Sequence, residues 1–156
     1  MMDQATIGVV GLGTMGLGIA QVYAAAGFRV IATDAHLPAR ESARDRMSEA
    51  LAARVTAAKL TPEARDATLA NLTIVDSVQD FAPCSLVIEA IIERLEAKQS
   101  LFADLETVLD ETAILATNTS SIPVSQIAAP ARHPNRILAL HFFNPPTAMK
   151  LVELAP

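Results

Sequence analysis

The run Ile7-Gly8-Val9-Val10-Gly11-Leu12-Gly13-Thr14-Met15-Gly16 constrains this chain more than any other ten residues in it. A short apolar stretch, Ala5 to Val10, enters a G-x-G-x-x-G turn, and Thr14 to Ala26 leave it with helical character until Gly27 takes the stop position. In a strand–turn–helix unit of this kind the first glycine permits a tight turn. The second lets a pyrophosphate approach the backbone, and the third lets helix and strand pack closely. Gly11, Gly13 and Gly16 stand at those three places. Free N–H groups at the helix start, at Thr14 and Met15, together with the helix dipole, then face the anion. Three glycines alone are equally compatible with a turn that holds no ligand, so the reading rests on context. Asp34 supplies it. Phe28 to Thr33 form a second strand, and a carboxylate at its end accepts hydrogen bonds from the adenosine ribose hydroxyls while repelling a 2′-phosphate. The pattern therefore predicts NAD rather than NADP. Capping of the helix that begins near Pro38 is the alternative role for Asp34, and His36 and Arg40 lie close enough to blunt the preference.

The remaining pattern alternates helix and strand, without repeats or low-complexity segments. Pro38 to Lys59 is rich in Ala, Arg and Glu, and Thr61-Pro62-Glu63 reads as the N-cap and first turn of a further helix, so this region is expected to be an inserted helical hairpin. Leu72–Val75, Ser85–Glu89, Ala113–Thr117, Arg136–His141 and Lys150–Leu154 are strand candidates, with an amphipathic helix from Leu95 to Leu109 and a short one near Val124. Apolar content of 51%, drawn mainly from aliphatic residues with no Trp, suits helices packed on buried parallel strands. The expected fold is α/β: a Rossmann-type, doubly wound, mostly parallel sheet, with residues 1–156 forming one NAD-binding domain.

Charge and cysteine content exclude other classes. Seventeen acidic against twelve basic residues give a net charge of −5 with no basic stripe, which argues against nucleic acid as a partner. Met1-Met2-Asp3-Gln4 carries no basic flank and the following apolar run is too short to span a bilayer, so a soluble cytoplasmic protein with no membrane partner is expected. Cys84 stands alone, ruling out an internal disulfide and a cysteine-based metal site; no metal is expected.

The second half of the chain carries residues suited to oxidising a secondary alcohol. Such a reaction needs a base for the hydroxyl proton while hydride leaves for the cofactor, and histidine suits that task near neutral pH. His141 is the candidate base, although a lone histidine before two phenylalanines is by itself more often a strand-end residue. Glu153, on the following strand, can hold the ring and stabilise its charged form. Ser120, after the fifth strand, is placed to donate a hydrogen bond to the reacting oxygen.

Taken together, Glu89-Ala90-Ile91-Ile92-Glu93 through Lys98, Asn118-Thr119-Ser120-Ser121, His141-Phe142-Phe143-Asn144-Pro145-Pro146 and Met149-Lys150-Leu151-Val152-Glu153 resemble the 3-hydroxyacyl-CoA dehydrogenase family in order and spacing. Within it, Arg54-Val55-Thr56 and Lys59-Leu60-Thr61 look closest to the branch that acts in phenylacetate catabolism. The resemblance implies an NAD-dependent oxidoreductase interconverting L-3-hydroxyacyl-CoA and 3-oxoacyl-CoA, in fatty-acid β-oxidation or phenylacetate catabolism. It implies catalytic roles for Ser120, His141 and Glu153, and places Glu93, Lys98 and Asn118 on the ribose and nicotinamide side with Asn144 nearby. A solvated helix start is the alternative reading of Glu93 and Lys98. Ser121 is expected to be a helix N-cap or a substrate-side hydroxyl, and His133 a surface residue.

The family's helical substrate and dimerisation domain has no counterpart in these residues, and the cofactor domain is expected to be cut short at its C-terminal end. Full activity from this chain alone is therefore not expected, and homo-oligomerisation is expected of the full-length enzyme. Two other functions compete. One is a CoA-independent 3-hydroxyacid dehydrogenase, which would rely on a lysine from a later helix. The other is a non-catalytic NAD-binding or structural module.

Overall fold

The computed structural model describes residues 4–156; the sequence reading of Met1 to Asp3 falls outside them. Seven strands form one sheet: β1 (Thr6–Val10), β2 (Arg29–Thr33), β3 (Leu72–Ile74), β4 (Leu86–Glu89), β5 (Ile114–Thr117), β6 (Ile137–Phe142) and β7 (Val152–Ala155). Their spatial order is β3-β2-β1-β4-β5-β6-β7, with the first six parallel and β7 antiparallel to β6. Strand order reverses between β1 and β4. In a doubly wound sheet that reversal opens a crevice at the carboxyl ends of the strands, where ligands bind.

Among the described residues five helices cover the sheet: α1 (Thr14–Ala25), α2 (Leu37–Thr56), α3 (Pro62–Ala70), α4 (Leu95–Val108) and α5 (Val124–Ala128). β1 is buried along its whole length because both faces are covered, which is why it reads as an unbroken apolar run rather than an alternation. Ile7 and Val9 enter one apolar cluster, with Ile19 of α1, Met47 and Leu51 of α2, and Leu72 of β3. Val10 enters the other, with Phe102 and Leu105 of α4 and Ile127 of α5. The expected hairpin is α2 and α3, inserted between β2 and β3.

Local chemistry sets the helix ends as expected. Gly27 has φ +95° just past α1, and the N–H groups of Gly27 and Phe28 return to the carbonyls of Ala24 and Tyr23. Thr61 caps α3 by accepting from the Ala64 N–H at 3.1 Å, with Pro62 in the first turn. Two one-turn 3-10 segments, Val78–Phe81 and Pro134–Arg136, have no signature in the hydrophobic pattern. The first drives Phe81 under the sheet so tightly that a Cβ on Gly8 would lie 2.7 Å from its ring. Among the described residues no helix is long and apolar enough to cross a membrane.

Candidate functional site

The glycine turn lies at the sheet's crevice, and its three glycines are required for three different reasons. Gly11 has φ +103°, and a side chain there would put Cβ 2.4 Å from the Ala90 carbonyl oxygen. A Cβ on Gly16 would lie 1.7 Å from the Gly11 carbonyl oxygen, so α1 can approach β1 only without one. Gly13 is the opposite case: a Cβ there would meet nothing within 4 Å. That open space sits over the start of α1. Among the described residues no protein acceptor takes the N–H groups of Gly13, Thr14 or Met15, whereas Leu17 already bonds back to the Gly13 carbonyl. The turn thus offers unused donors and a positive helix end to an anion such as a pyrophosphate.

Asp34 closes one side of this turn. Its Oδ2 accepts the Leu12 N–H at 2.7 Å and its Oδ1 accepts the His36 N–H at 2.7 Å. Each oxygen keeps a second lone pair for a hydroxyl donor. α2 itself starts with His36 at its N-cap and no side-chain cap, so Asp34 is not the helix cap that the sequence left as an alternative. Arg40 is held by the Asp34 main-chain carbonyl at 3.1 Å and by the Asp76 carboxylate at 3.4 Å. A cleft of ≈ 580 Å³ bounded by Gly11, Gly13, Asp34, His36, Ile92 and Leu101 runs alongside.

On the other side of the turn, a cleft of ≈ 300 Å³ gathers Met15, Glu93, Lys98, Asn118, Ser120, His141 and Asn144 from the ends of several separate elements. His141 on β6 is the register partner of Glu153 on β7, and its Nδ1 lies 3.2 Å from the carboxylate Oε2. The Phe143 ring packs against the imidazole with centroids 4.7 Å apart. Asn118 ties three strand ends together, its N–H donating to the Glu89 carbonyl and its Oδ1 accepting from the Phe142 N–H at 2.8 Å.

Comparison with known proteins decides the family. Residues 6–156 match the model described as 3-hydroxyacyl-CoA dehydrogenase, NAD binding domain. The chain belongs to this family. A 3-hydroxyadipyl-CoA dehydrogenase of Escherichia coli (strain K12) is 46% identical over 99% of this chain and 32% of that protein. A 3-hydroxybutyryl-CoA dehydrogenase of Mycobacterium tuberculosis is 43% identical over 95% of this chain and 52% of its own length. A crystal structure of 3-hydroxybutyryl-CoA dehydrogenase from Escherichia coli K12 superposes with a TM-score of 0.94 at 45% identity, covering 98% of this chain and 32% of that one. The chain thus spans about a third to about half of these relatives.

In this 3-hydroxyacyl-CoA dehydrogenase domain the polar residues of the second cleft stand on a buried network that the sequence did not disclose. Glu89, fully buried at the end of β4, accepts from Lys98 Nζ at 2.6 Å and the Ile91 N–H at 2.8 Å, and its other oxygen accepts from Thr117 Oγ1 at 2.6 Å. Lys98 is only 1% exposed, which removes the solvated-helix reading for it; it lies in line with Phe102 and Leu105 on the buried stripe of α4. Glu93, 3.6 Å from Lys98 Nζ, also accepts from the Thr119 hydroxyl. Thr119 Oγ1 in turn accepts the Ile122 N–H at 3.0 Å. Ser121 is not an N-cap: α5 begins after Pro123, and the Ser121 hydroxyl leans 3.5 Å from Glu93. A glutamate closing the apolar strand Leu86-Val87-Ile88 was the available signal for the network. His133 sits apart at the surface, 3.9 Å from Glu111.

Proposed function

We propose that this domain binds NAD through its glycine turn and serves the interconversion of L-3-hydroxyacyl-CoA and 3-oxoacyl-CoA. The observation that carries the proposal is the single cleft shared by Ser120 and His141, with Glu153 directly behind the imidazole. Gly11, Gly13, Thr14, Met15 and Gly16 would hold the pyrophosphate, and Asp34 the adenosine ribose. Glu93, Lys98, Asn118 and Asn144 would flank the nicotinamide half. When bound, NAD supplies the hydride acceptor for the alcohol and, reduced, the donor for the ketone.

The chain's own residues handle the proton. A carboxylate beside Nδ1 favours the tautomer with its proton there, so Nε2 keeps the lone pair. His141 Nε2 takes the hydroxyl proton as the carbon–oxygen double bond forms, and Glu153 stabilises the resulting imidazolium. In the reverse direction His141 returns that proton to the oxygen. Ser120 donates a hydrogen bond to the same oxygen and steadies negative charge developing on it.

These 156 residues cover 32% and 52% of the two relatives named above, and much of the acyl-CoA cleft, with the contacts of a homo-oligomer, would belong to a helical domain outside them. A cytoplasmic setting is consistent with Cys84, a lone thiol whose burial pushes its pKa up to about 12 and leaves it inert. The test is a chimera joining this domain to the remainder of the Escherichia coli relative, assayed by NADH consumption with acetoacetyl-CoA. Turnover is expected from the chimera and NADH binding from the chain alone. Binding without turnover by a folded chimera would select a non-catalytic module instead.

A further inference from the structure

Arg46 lies in the middle of α2 and lines neither cleft, yet its guanidinium reaches the glycine turn. Nη2 donates to the Leu12 carbonyl at 2.7 Å and to the Ala39 carbonyl at 2.9 Å, while Nε donates to Ser42 Oγ at 3.0 Å. The arginine is thereby anchored on its own helix and presents one fixed N–H to the turn. The Leu12 carbonyl and the Gly13 N–H belong to the same planar, trans peptide unit, in which C=O and N–H point in opposite directions. A bond that holds the carbonyl toward α2 therefore holds the Gly13 N–H away from it.

The preceding peptide is fixed as well. Its N–H, that of Leu12, is taken by Asp34 at 2.7 Å, so two consecutive peptide planes of the turn are set by side chains from outside it. Leu12 itself is fully buried, which denies the turn another way to rotate. The Gly13 N–H has no protein acceptor among the described residues, and the space beside Gly13 is open.

We propose that Arg46 is a positioning residue of the cofactor cradle, holding the Leu12–Gly13 peptide so that the Gly13 N–H is already aimed at the pyrophosphate before the dinucleotide arrives. The inference rests on the reading that the glycine turn takes NAD. A donor aligned in advance spares the ordering that binding would otherwise require. Arg46 acts through the backbone, so its contribution is confined to ligands that carry the pyrophosphate.

Arg46→Met keeps the aliphatic stem and removes the fork; Arg46→Lys keeps the charge and loses the fixed geometry. Calorimetric titration of the chain is expected to show NADH and NAD⁺ each weakened by about tenfold in Arg46→Met, as for loss of one charge-assisted hydrogen bond. Arg46→Lys should recover part of that loss, and adenosine affinity should be unchanged in both. In the ligand-free protein, the ¹⁵N–¹H signal of Gly13 should shift in Arg46→Met while most other amides stay in place. NADH affinity within about twofold of wild type, or an equal loss for adenosine and NADH, overturns the inference. Full recovery in Arg46→Lys overturns it in favour of simple charge attraction. Should Arg46→Met fail to fold, Arg46→Lys and its Gly13 signal decide alone. A wild-type chain with no affinity for NADH overturns the cofactor reading together with this one, whereas wild-type binding that Arg46→Met leaves intact overturns only the role of Arg46.

Discussion

His141 and Glu153 face each other across the antiparallel β6–β7 pair, and their side chains meet with Nδ1 3.2 Å from Oε2. Residues in register on neighbouring strands point to the same side of the sheet, so β7 serves the site by returning one carboxylate behind one imidazole. Glu153 is 64% exposed, and a pair so open to solvent contributes little to stability. Its loss should therefore register in catalysis and not in folding. In the chimera, His141→Ala is expected to lower kcat by at least about 10²-fold with NADH affinity nearly unchanged. Glu153→Gln should lower kcat too, by removing the charge behind the ring. If the two act as one unit, as proposed, the double variant should lose far less than the product of the single losses. Multiplicative losses in steady-state kinetics would dissolve the pair.

Asp34 has two tasks that one substitution removes together and two measurements read apart. Its carboxylate holds the Leu12 and His36 N–H groups, and in the proposed complex it also meets the ribose diol. The chain should bind NADH more tightly than NADPH, and Asp34→Ala should narrow that ratio by about tenfold or more. The same change should lower stability by about 1–3 kcal/mol, since two backbone donors lose their acceptor. Calorimetry with both cofactors and a thermal melt read the two effects. A variant that keeps the NADH preference removes Asp34 from cofactor selection, whatever its melt shows.

Two glycines of the turn should respond in opposite ways. A methyl at Gly16 would be driven into the Gly11 carbonyl, a backbone atom that cannot swing aside, so Gly16→Ala should destabilise or prevent folding. Gly13 opens on empty space, so Gly13→Val should fold with a melting temperature close to wild type yet lose NADH binding by filling the pyrophosphate's place. Circular dichroism melts and NADH titration distinguish the two. Undiminished NADH affinity in Gly13→Val would move the phosphate site elsewhere.

What could be read from the sequence was local. The glycine turn, the Thr61–Pro62 cap and the strand at Leu72 announce themselves within a few residues, and the structure shifts their bounds by only one or two positions. That Ser120, His141 and Asn118 share a cleft was legible as motifs in a fixed order, and Glu153 on the next strand was legible as the partner of His141; the antiparallel register that sets the two opposite each other was not. Arg46 and Leu12 are 34 residues apart, and nothing near either announces the contact. Lys98 shows the same limit. Beside Glu93, Arg94 and Glu96 it reads as one more charge on a helix start, and only β4 folding beneath α4 turns it inward onto Glu89.

That buried pair carries the last prediction. Glu89 and Lys98 are 0% and 1% exposed, so each charge is tolerated only because the other is 2.6 Å away, with Thr117 and the Ile91 N–H satisfying the carboxylate's remaining capacity. Removing one partner leaves a buried charge poorly compensated. Lys98→Met strands the carboxylate, and Glu89→Gln leaves the ammonium an amide oxygen but no negative charge in direct contact, Glu93 lying 3.6 Å away. Each single change should therefore cost about 3–5 kcal/mol of unfolding free energy. The double change Glu89→Gln with Lys98→Met removes both charges at once and keeps an amide oxygen for the Ile91 N–H, so it should cost clearly less than the sum. Urea unfolding of the four proteins measures this, provided the slope with denaturant stays constant across them. Additive losses would mean that the two charges are solvated independently, and the ion pair could no longer be held to organise the floor of the cleft.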